Sequence, residues 1–279
     1  MLKRIITAVV GLVIIVPIFW FSDFVTFPIL FSFGAVVCLY EMFKCMGLHK
    51  KLYLSIPVYL FGAACPFLVR YMSPLKNVAF IGFIFAVVYL IYLFSCIVWS
   101  HGKLQFTDAI TLYAMCLYII LGICCVMYIR FHFTGGEYLY LLIFLGAWVT
   151  DIFAYFTGML IGKHKLIPDV SPKKTIEGSI GGIVFCALFF VGYGFAIEKI
   201  FSTDINLLFL GISGVIISII SQIGDLIMSV IKRYYNVKDF GKILPGHGGI
   251  LDRIDSMLAV SVGLGAIGMF ITLTGISIV

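Results

Sequence analysis

Charge is what this sequence lacks most. Only 11% of its 279 residues are Asp, Glu, Lys or Arg, and 62% are hydrophobic, whereas soluble domains carry roughly a quarter charged residues. That scarcity excludes a water-soluble globule. The eight cysteines include no C-x-x-C pair, which removes zinc knuckles and dithiol redox motifs. Most of them lie inside apolar runs and read as small packing residues. A dense basic tract is missing too: the net charge is +6, but the basic residues are scattered over short polar segments, so no nucleic-acid partner is implied. No A-x-A-like cleavage site follows the apolar run after Met1-Leu2-Lys3-Arg4, so that run reads as a retained first span, not a signal peptide. Internal repeats and low-complexity tracts are also lacking.

What the chain has in abundance is long apolar runs. Nine can be drawn, at about 5–22, 24–40, 53–70, 78–99, 109–129, 138–161, 177–197, 205–230 and 257–279. Each is close to the ~20 residues a helix needs to cross a bilayer. The fold class is therefore all-α, a polytopic integral membrane helical bundle of about nine transmembrane helices. Only Ser22 and Asp23 separate the first two runs, so a re-entrant or strongly tilted pair is the alternative there. With nine spans and an inner N-terminus, fifteen Lys and Arg residues fall in inner loops and four (Arg70, Lys76, Arg130 and Lys199) in outer ones. Cytoplasmic loops carry such an excess, which places segments 162–176 and 231–256 in the cytoplasm. Glycine, serine and alanine recur in the later spans, as in Gly178-Ser179-Ile180-Gly181-Gly182, and suit close helix packing within one chain or in a homodimer. Residues 1–130 read as a scaffold and 131–279 as a catalytic region of one membrane domain.

The few charges are concentrated. Five of the nineteen basic residues and four of the thirteen acids lie between Ser221 and Ser256. Polar groups wedged between membrane-length apolar runs mark a functional site by default. Ser221, Asp225, Ser229 and Lys232 recur at helical spacing and form one polar stripe. Asp252 and Asp255, three apart, share a face of the helix that follows a glycine-rich turn. In that turn, Gly246, Gly248 and Gly249 let backbone approach a ligand, and a helix start favours phosphate. An ordinary loop with an Asp cap would account for one of these acids at most. Oxygen donors without cysteine or paired histidine favour a hard cation such as Mg²⁺.

A second constellation precedes it. Trp148-Val149-Thr150-Asp151 puts another acid in a span, leading to a basic segment with Ser171, Lys173, Lys174 and Thr175 just before a helix. Hydroxyl and ammonium donors there suit a polyphosphate or a lipid headgroup. A solvated basic loop is the plainer reading of the lysines alone.

The stretch S-x-I-K-R-x4-K-D-x-G-x2-L-P-x-H-G-G-I-x-D-R-I-D, from Ser229 to Asp255, resembles the signature of the phosphatidate cytidylyltransferases (CDP-diacylglycerol synthases). The SPKKTIEG stretch at 171–178 and W-x-x-D-x-x-A-Y at 148–155 are similar to that family's as well. The resemblance covers the C-terminal half strongly. It implies a divalent-metal-dependent nucleotidyltransferase of phospholipid biosynthesis that makes CDP-diacylglycerol and pyrophosphate from CTP and phosphatidic acid. The short chain without a long soluble tail leads us to expect a bacterial plasma membrane. On this reading Asp225, Asp252 and Asp255 bind Mg²⁺, with Asp151 a fourth candidate that leaves room for a second ion. Lys232 and Arg253 join the three acids as catalytic groups. Ser171, Lys173, Lys174, Thr175, Ser229, Arg233, Lys238, Asp239, His247, Gly248 and Gly249 contact substrate. The attacking group is already an anionic phosphate oxygen, so His247 is a ligand contact and no general base is needed. Two rivals are a CTP-dependent polyprenol-type lipid kinase and an ion-coupled transporter. The transporter is disfavoured because the acids of the first 129 residues all lie near run ends, whereas transporters carry polar groups at the midplane of related halves.

Overall fold

The computed structural model describes residues 23, 25–243 and 248–274. The run at 5–22, and with it the first of the nine expected spans, lies outside the described residues, as does His247. Among the described residues, eight helical segments are long and apolar enough to cross a membrane. They are α1 (Thr26–Cys45), α2 (Leu52–Tyr71), α3 (Leu75–Trp99), α4 (Phe106–His132), the consecutive α5 (Gly136–Leu139) and α6 (Leu141–Ile161), α7 (Ile176–Phe201), α8 (Leu207–Tyr234) and α9 (Leu251–Thr274). Each corresponds to one apolar run from residue 24 onward. Helix is what lipid demands, because it satisfies every backbone N–H and C=O within the segment. All eight cysteines are free thiols.

The chain divides into two compact units, one of Met1–Met127 with Tyr235–Ile254 and one of Tyr128–Tyr234 with Asp255–Val279. In the first, α1 packs on α2 and α2 on α3. Gly62 makes the α1–α2 approach possible, since a Cβ there would meet Leu39 Cδ1 at 2.7 Å. Polar side chains stitch the helices where water is lacking. Ser32 Oγ donates to the Ala63 carbonyl at 2.7 Å, and the Tyr89 hydroxyl donates to the Leu54 carbonyl at 3.0 Å.

The second unit is built on α6, α7 and α8, with α7 against both neighbours. Small residues set the spacing. A Cβ at Gly178 would lie 2.6 Å from the Ala154 carbonyl oxygen, and one at Gly182 3.0 Å from that of Thr150. The expected packing role of the Gly178–Gly182 cluster is thus realised between α6 and α7. Between α6 and α7 the chain forms a two-stranded antiparallel hairpin, β1 (Lys165–Ile167) and β2 (Ser171–Thr175), pairing Lys165 with Thr175 and Ile167 with Ser171. This is a small addition to an otherwise helical architecture.

Helix α8 is amphipathic in the sense opposite to a soluble helix. Ile216, Ile219, Ile223, Ile227 and Val230 are exposed, while Ser213, Ser218, Ser221 and Gln222 are buried. Apolar side chains face outward where lipid is the solvent, and polar ones are left to pair inside. Thr150 of α6 donates to Ser218 Oγ at 3.0 Å, and Gln222 Nε2 donates to the Ser179 carbonyl at 3.3 Å. The polar stripe therefore runs along the inner face of α8 toward Asp225.

Candidate active site

In the second unit the site begins with the hairpin and the start of α7. Thr175 is the N-cap of α7, and its hydroxyl oxygen accepts the Gly178 N–H at 3.1 Å. Glu177, one residue earlier, reaches back across the hairpin. Its carboxylate accepts the backbone N–H groups of Lys163 (3.1 Å) and His164 (3.2 Å), and its Oε1 lies 2.6 Å from His164 Nδ1. Helix start and hairpin are thereby locked together, with Lys174 on the strand between them.

That lock aims Lys174 at α8, where its Nζ pairs with Oδ2 of Asp225. About two turns further along α8, Lys232 Nζ lies 3.8 Å from Oδ2 of Asp255 on α9. The carboxylate of Asp255 also accepts the N–H of Ser256 at 2.9 Å, and the Ser256 hydroxyl donates to Asp151 Oδ2 over a long 3.5 Å. Asp151, Asp225 and Asp255 are near enough for mutual repulsion. Three carboxylates and two ammonium groups thus lie near one another, with Asp151 midway along α6, Asp225 in the last third of α8 and Asp255 near the start of α9, and the acids outnumber the cations. Ser171 and Ser229 are half-buried in this unit, while Lys173 and Arg233 stand exposed.

An all-oxygen carboxylate set is of the kind that takes a hard divalent cation. Among the described residues, however, no group of three or more His, Cys, Asp and Glu is gathered closely enough to hold an ion. Lys174 lies where a cation would approach Asp225. The oxygen donors are of the kind Mg²⁺ accepts, and Asp225 is held by Lys174.

In the first unit the signature's glycine-rich turn has a different neighbourhood. Asp252 is buried, and its Oδ2 accepts two backbone N–H groups, from Phe240 at 2.8 Å and Gly249 at 3.0 Å. This ties the two limbs of the turn together. Gly248 has φ +85, a conformation L side chains rarely adopt, and a Cβ there would lie 3.2 Å from Asp252 Oδ2. The need for glycine at 248 is therefore conformational. At 249 the space is filled by a residue the sequence reading passed over, Glu41 of α1. Its Oε1 accepts the Ile250 N–H at 3.2 Å and its Oε2 the Leu251 N–H at 2.8 Å. Lys238, Asp239 and Arg253 are exposed.

Glu41 and Glu177 are the two acids missed as structural partners of the candidate residues. Glu177 gave a local signal, an acid in the first turn of a helix. Glu41 gave a weaker one, an acid at the end of an apolar run, and its partners lie 209 and 210 residues away in sequence.

Comparison with known proteins agrees with the motif. A profile described as "Cytidylyltransferase family" matches residues 2–270. A phosphatidate cytidylyltransferase of Staphylococcus aureus (strain COL) is 33% identical over 264 residues, which cover 92% of this chain and 95% of that one. Phosphatidate cytidylyltransferases of Staphylococcus haemolyticus and Staphylococcus epidermidis (strain ATCC 12228) are 35% and 34% identical over 270 residues, with the same coverage. With its apolar helices and bacterial relatives the chain is an integral, multi-pass membrane protein, and with a match over nearly its whole length it belongs to the cytidylyltransferase family.

Proposed function

We propose that this chain transfers the cytidylyl group of CTP to phosphatidic acid, giving CDP-diacylglycerol and pyrophosphate. The observation that carries the reading is the likeness to phosphatidate cytidylyltransferases along 92% of the chain. A phosphate oxygen of the lipid attacks the α-phosphorus of CTP. The bond from that phosphorus to the bridging oxygen of the β-phosphate breaks, and pyrophosphate leaves with the electron pair. Such transfers depend on positioning and charge neutralisation more than on covalent help from the protein.

The roles follow from what each residue carries. Lys174, Lys232, Arg233 and Lys238 supply positive charge for the phosphates, assisted by Lys173 and by the hydroxyls of Ser171, Thr175 and Ser229. Asp225, Asp255 and Asp151 would hold Mg²⁺, which when bound would neutralise charge accumulating on the leaving pyrophosphate, and Asp252 is a further candidate ligand. Lys174, which pairs with Asp225, would serve a substrate phosphate if that pair opened. Arg253 neutralises phosphate or orients the acids, and Asp239, His247, Gly248 and Gly249 belong to the substrate-contacting turn. These groups all lie in 131–279, with residues 1–130 as their support. Nine spans with an inner N-terminus put both polar segments on the cytoplasmic side, where CTP is dissolved and the lipid phosphate sits at the interface. The excess of Lys and Arg in those segments supports this orientation.

The purified full-length protein in liposomes containing phosphatidic acid should release pyrophosphate from CTP and form CDP-diacylglycerol, and chelation of divalent cations should stop both. Formation of a phosphorylated lipid with release of CDP would instead identify a CTP-dependent lipid kinase.

A further inference from the structure

We infer that Glu41 is a positioning residue for the transfer reaction: its carboxylate braces the glycine-rich turn and the start of α9 so that Asp252 is held in one orientation. The inference rests on the functional reading above for its consequence, and on the first unit alone for its geometry.

A carboxylate in an apolar span is expensive to bury unless something compensates it, and Glu41 is 1% exposed. The compensation is specific. Its two oxygens take the N–H groups of Ile250 and Leu251 at 3.2 and 2.8 Å. These donors sit at the N-terminal end of α9, where the helix offers no acceptor of its own and where the helix dipole favours an anion. The cap comes from α1.

The turn is also shaped around that carboxylate. A Cβ built at Gly241 would overlap Glu41, and one at Gly249 would lie 2.5 Å from both of its oxygens. Gly241 is on one limb of the turn and Gly249 on the other. Asp252 in turn joins the limbs through Phe240 N–H and Gly249 N–H. Glu41 therefore grips the helix start from outside, Asp252 ties the limbs from inside, and Gly249 touches both. Without Glu41, two helix-end N–H groups lose their acceptor and the backbone that holds Asp252 is free to shift. Glu41 touches no reacting group in this scheme, so its effect reaches the reaction through Asp252 and the turn.

The test compares the full-length wild type with Glu41→Gln, Glu41→Ala, Gly249→Ala and the double variant Glu41→Ala/Gly249→Ala in detergent–lipid micelles. Three quantities are read: the thermal midpoint, trypsin cleavage after Lys238 and Lys242, and kcat and KM for CTP. Losing charge-assisted hydrogen bonds at the helix start should lower kcat about ten- to a hundredfold in both Glu41 variants, with KM moving less than about threefold. Cleavage after Lys238 and Lys242 should quicken in both, and the thermal midpoint should fall less in Glu41→Gln, which keeps an acceptor, than in Glu41→Ala, with the kcat loss larger than either fall accounts for. Gly249→Ala should be costly in the wild type and cheaper beside Glu41→Ala, where the added methyl finds vacated space. The inference is overturned by Glu41 variants of normal kcat, by unchanged cleavage, by a kcat loss that merely tracks a falling thermal midpoint, or by additive costs at 41 and 249. If the wild type makes no CDP-diacylglycerol, the functional reading fails, and the cleavage and 41/249 measurements still decide the brace.

Discussion

Asp252 offers the sharpest perturbation, because its carboxylate has two separable uses. One is structural: Oδ2 accepts the N–H groups of Phe240 and Gly249 at 2.8 and 3.0 Å. The other is its charge, which the functional reading assigns to the reaction. Asp252→Asn keeps an oxygen able to accept both N–H groups but removes the charge. A hydrogen bond to a charged group contributes about 1.5–3 kcal/mol and a neutral one about 0.5–1.5, so two bonds lose roughly 2 kcal/mol together. Asp252→Ala leaves both buried N–H groups unmet, at about 1–3 kcal/mol each, or roughly 2–6 kcal/mol. Unfolding in detergent should therefore rank wild type above Asn and Asn above Ala. Turnover should not follow that ranking. If the carboxylate's charge serves the transfer at a cost of several kcal/mol when lost, the Asn variant falls about a hundredfold or more while remaining folded. Asp252→Asn with near-wild-type turnover would refute a chemical role and leave Asp252 as a turn-former only.

Two further outcomes test the second unit. Gly178→Ala places a Cβ 2.6 Å from the Ala154 carbonyl oxygen and 2.9 Å from Thr175 Oγ1, so α6 and α7 must part and the α7 cap is strained; the cost should be about 1–3 kcal/mol by unfolding in detergent, and an unchanged midpoint would contradict the packing. Lys174→Met and Asp225→Asn should be non-additive in stability by about 0.5–3 kcal/mol if the pair forms as described, and a double-mutant cycle that closes to zero would deny it.

Much of the architecture was legible because lipid makes the code simple. Every apolar run from residue 24 onward became a helix, since a helix satisfies its backbone polar groups within one segment, as hydrocarbon requires. The runs underestimated helix length where polar residues continue the helix past the apolar window. Helix α8 goes on through Lys232 to Tyr234, and α9 begins at Leu251 although the apolar run starts at 257. The spacing of Ser221, Asp225, Ser229 and Lys232 gave one polar stripe, along which Ser221 is buried and the other three are half-buried. The β1–β2 hairpin was not legible: three and five residues with Pro172 among them carry no alternating pattern, and the pairing is set by Glu177 gripping Lys163 and His164. The partner of Asp225 was also out of reach. Spacing put Lys232 on the same stripe as Asp225, but the pair is with Lys174 of the hairpin, while Lys232 lies against Asp255. Glu41 was hardest, because an acid ending an apolar run is ordinary until its partners from the far end of the chain are placed beside it.

The most direct test of the central claim follows two labels through one reaction. Purified wild-type protein, phosphatidic acid in liposomes and Mg²⁺ are supplied either with CTP labelled at the α-phosphorus or with CTP labelled at the γ-phosphorus. Cytidylyl transfer predicts that the α label enters the lipid fraction as CDP-diacylglycerol, while the γ label leaves in pyrophosphate. Entry of the γ label into lipid, or failure of the α label to enter, would contradict it.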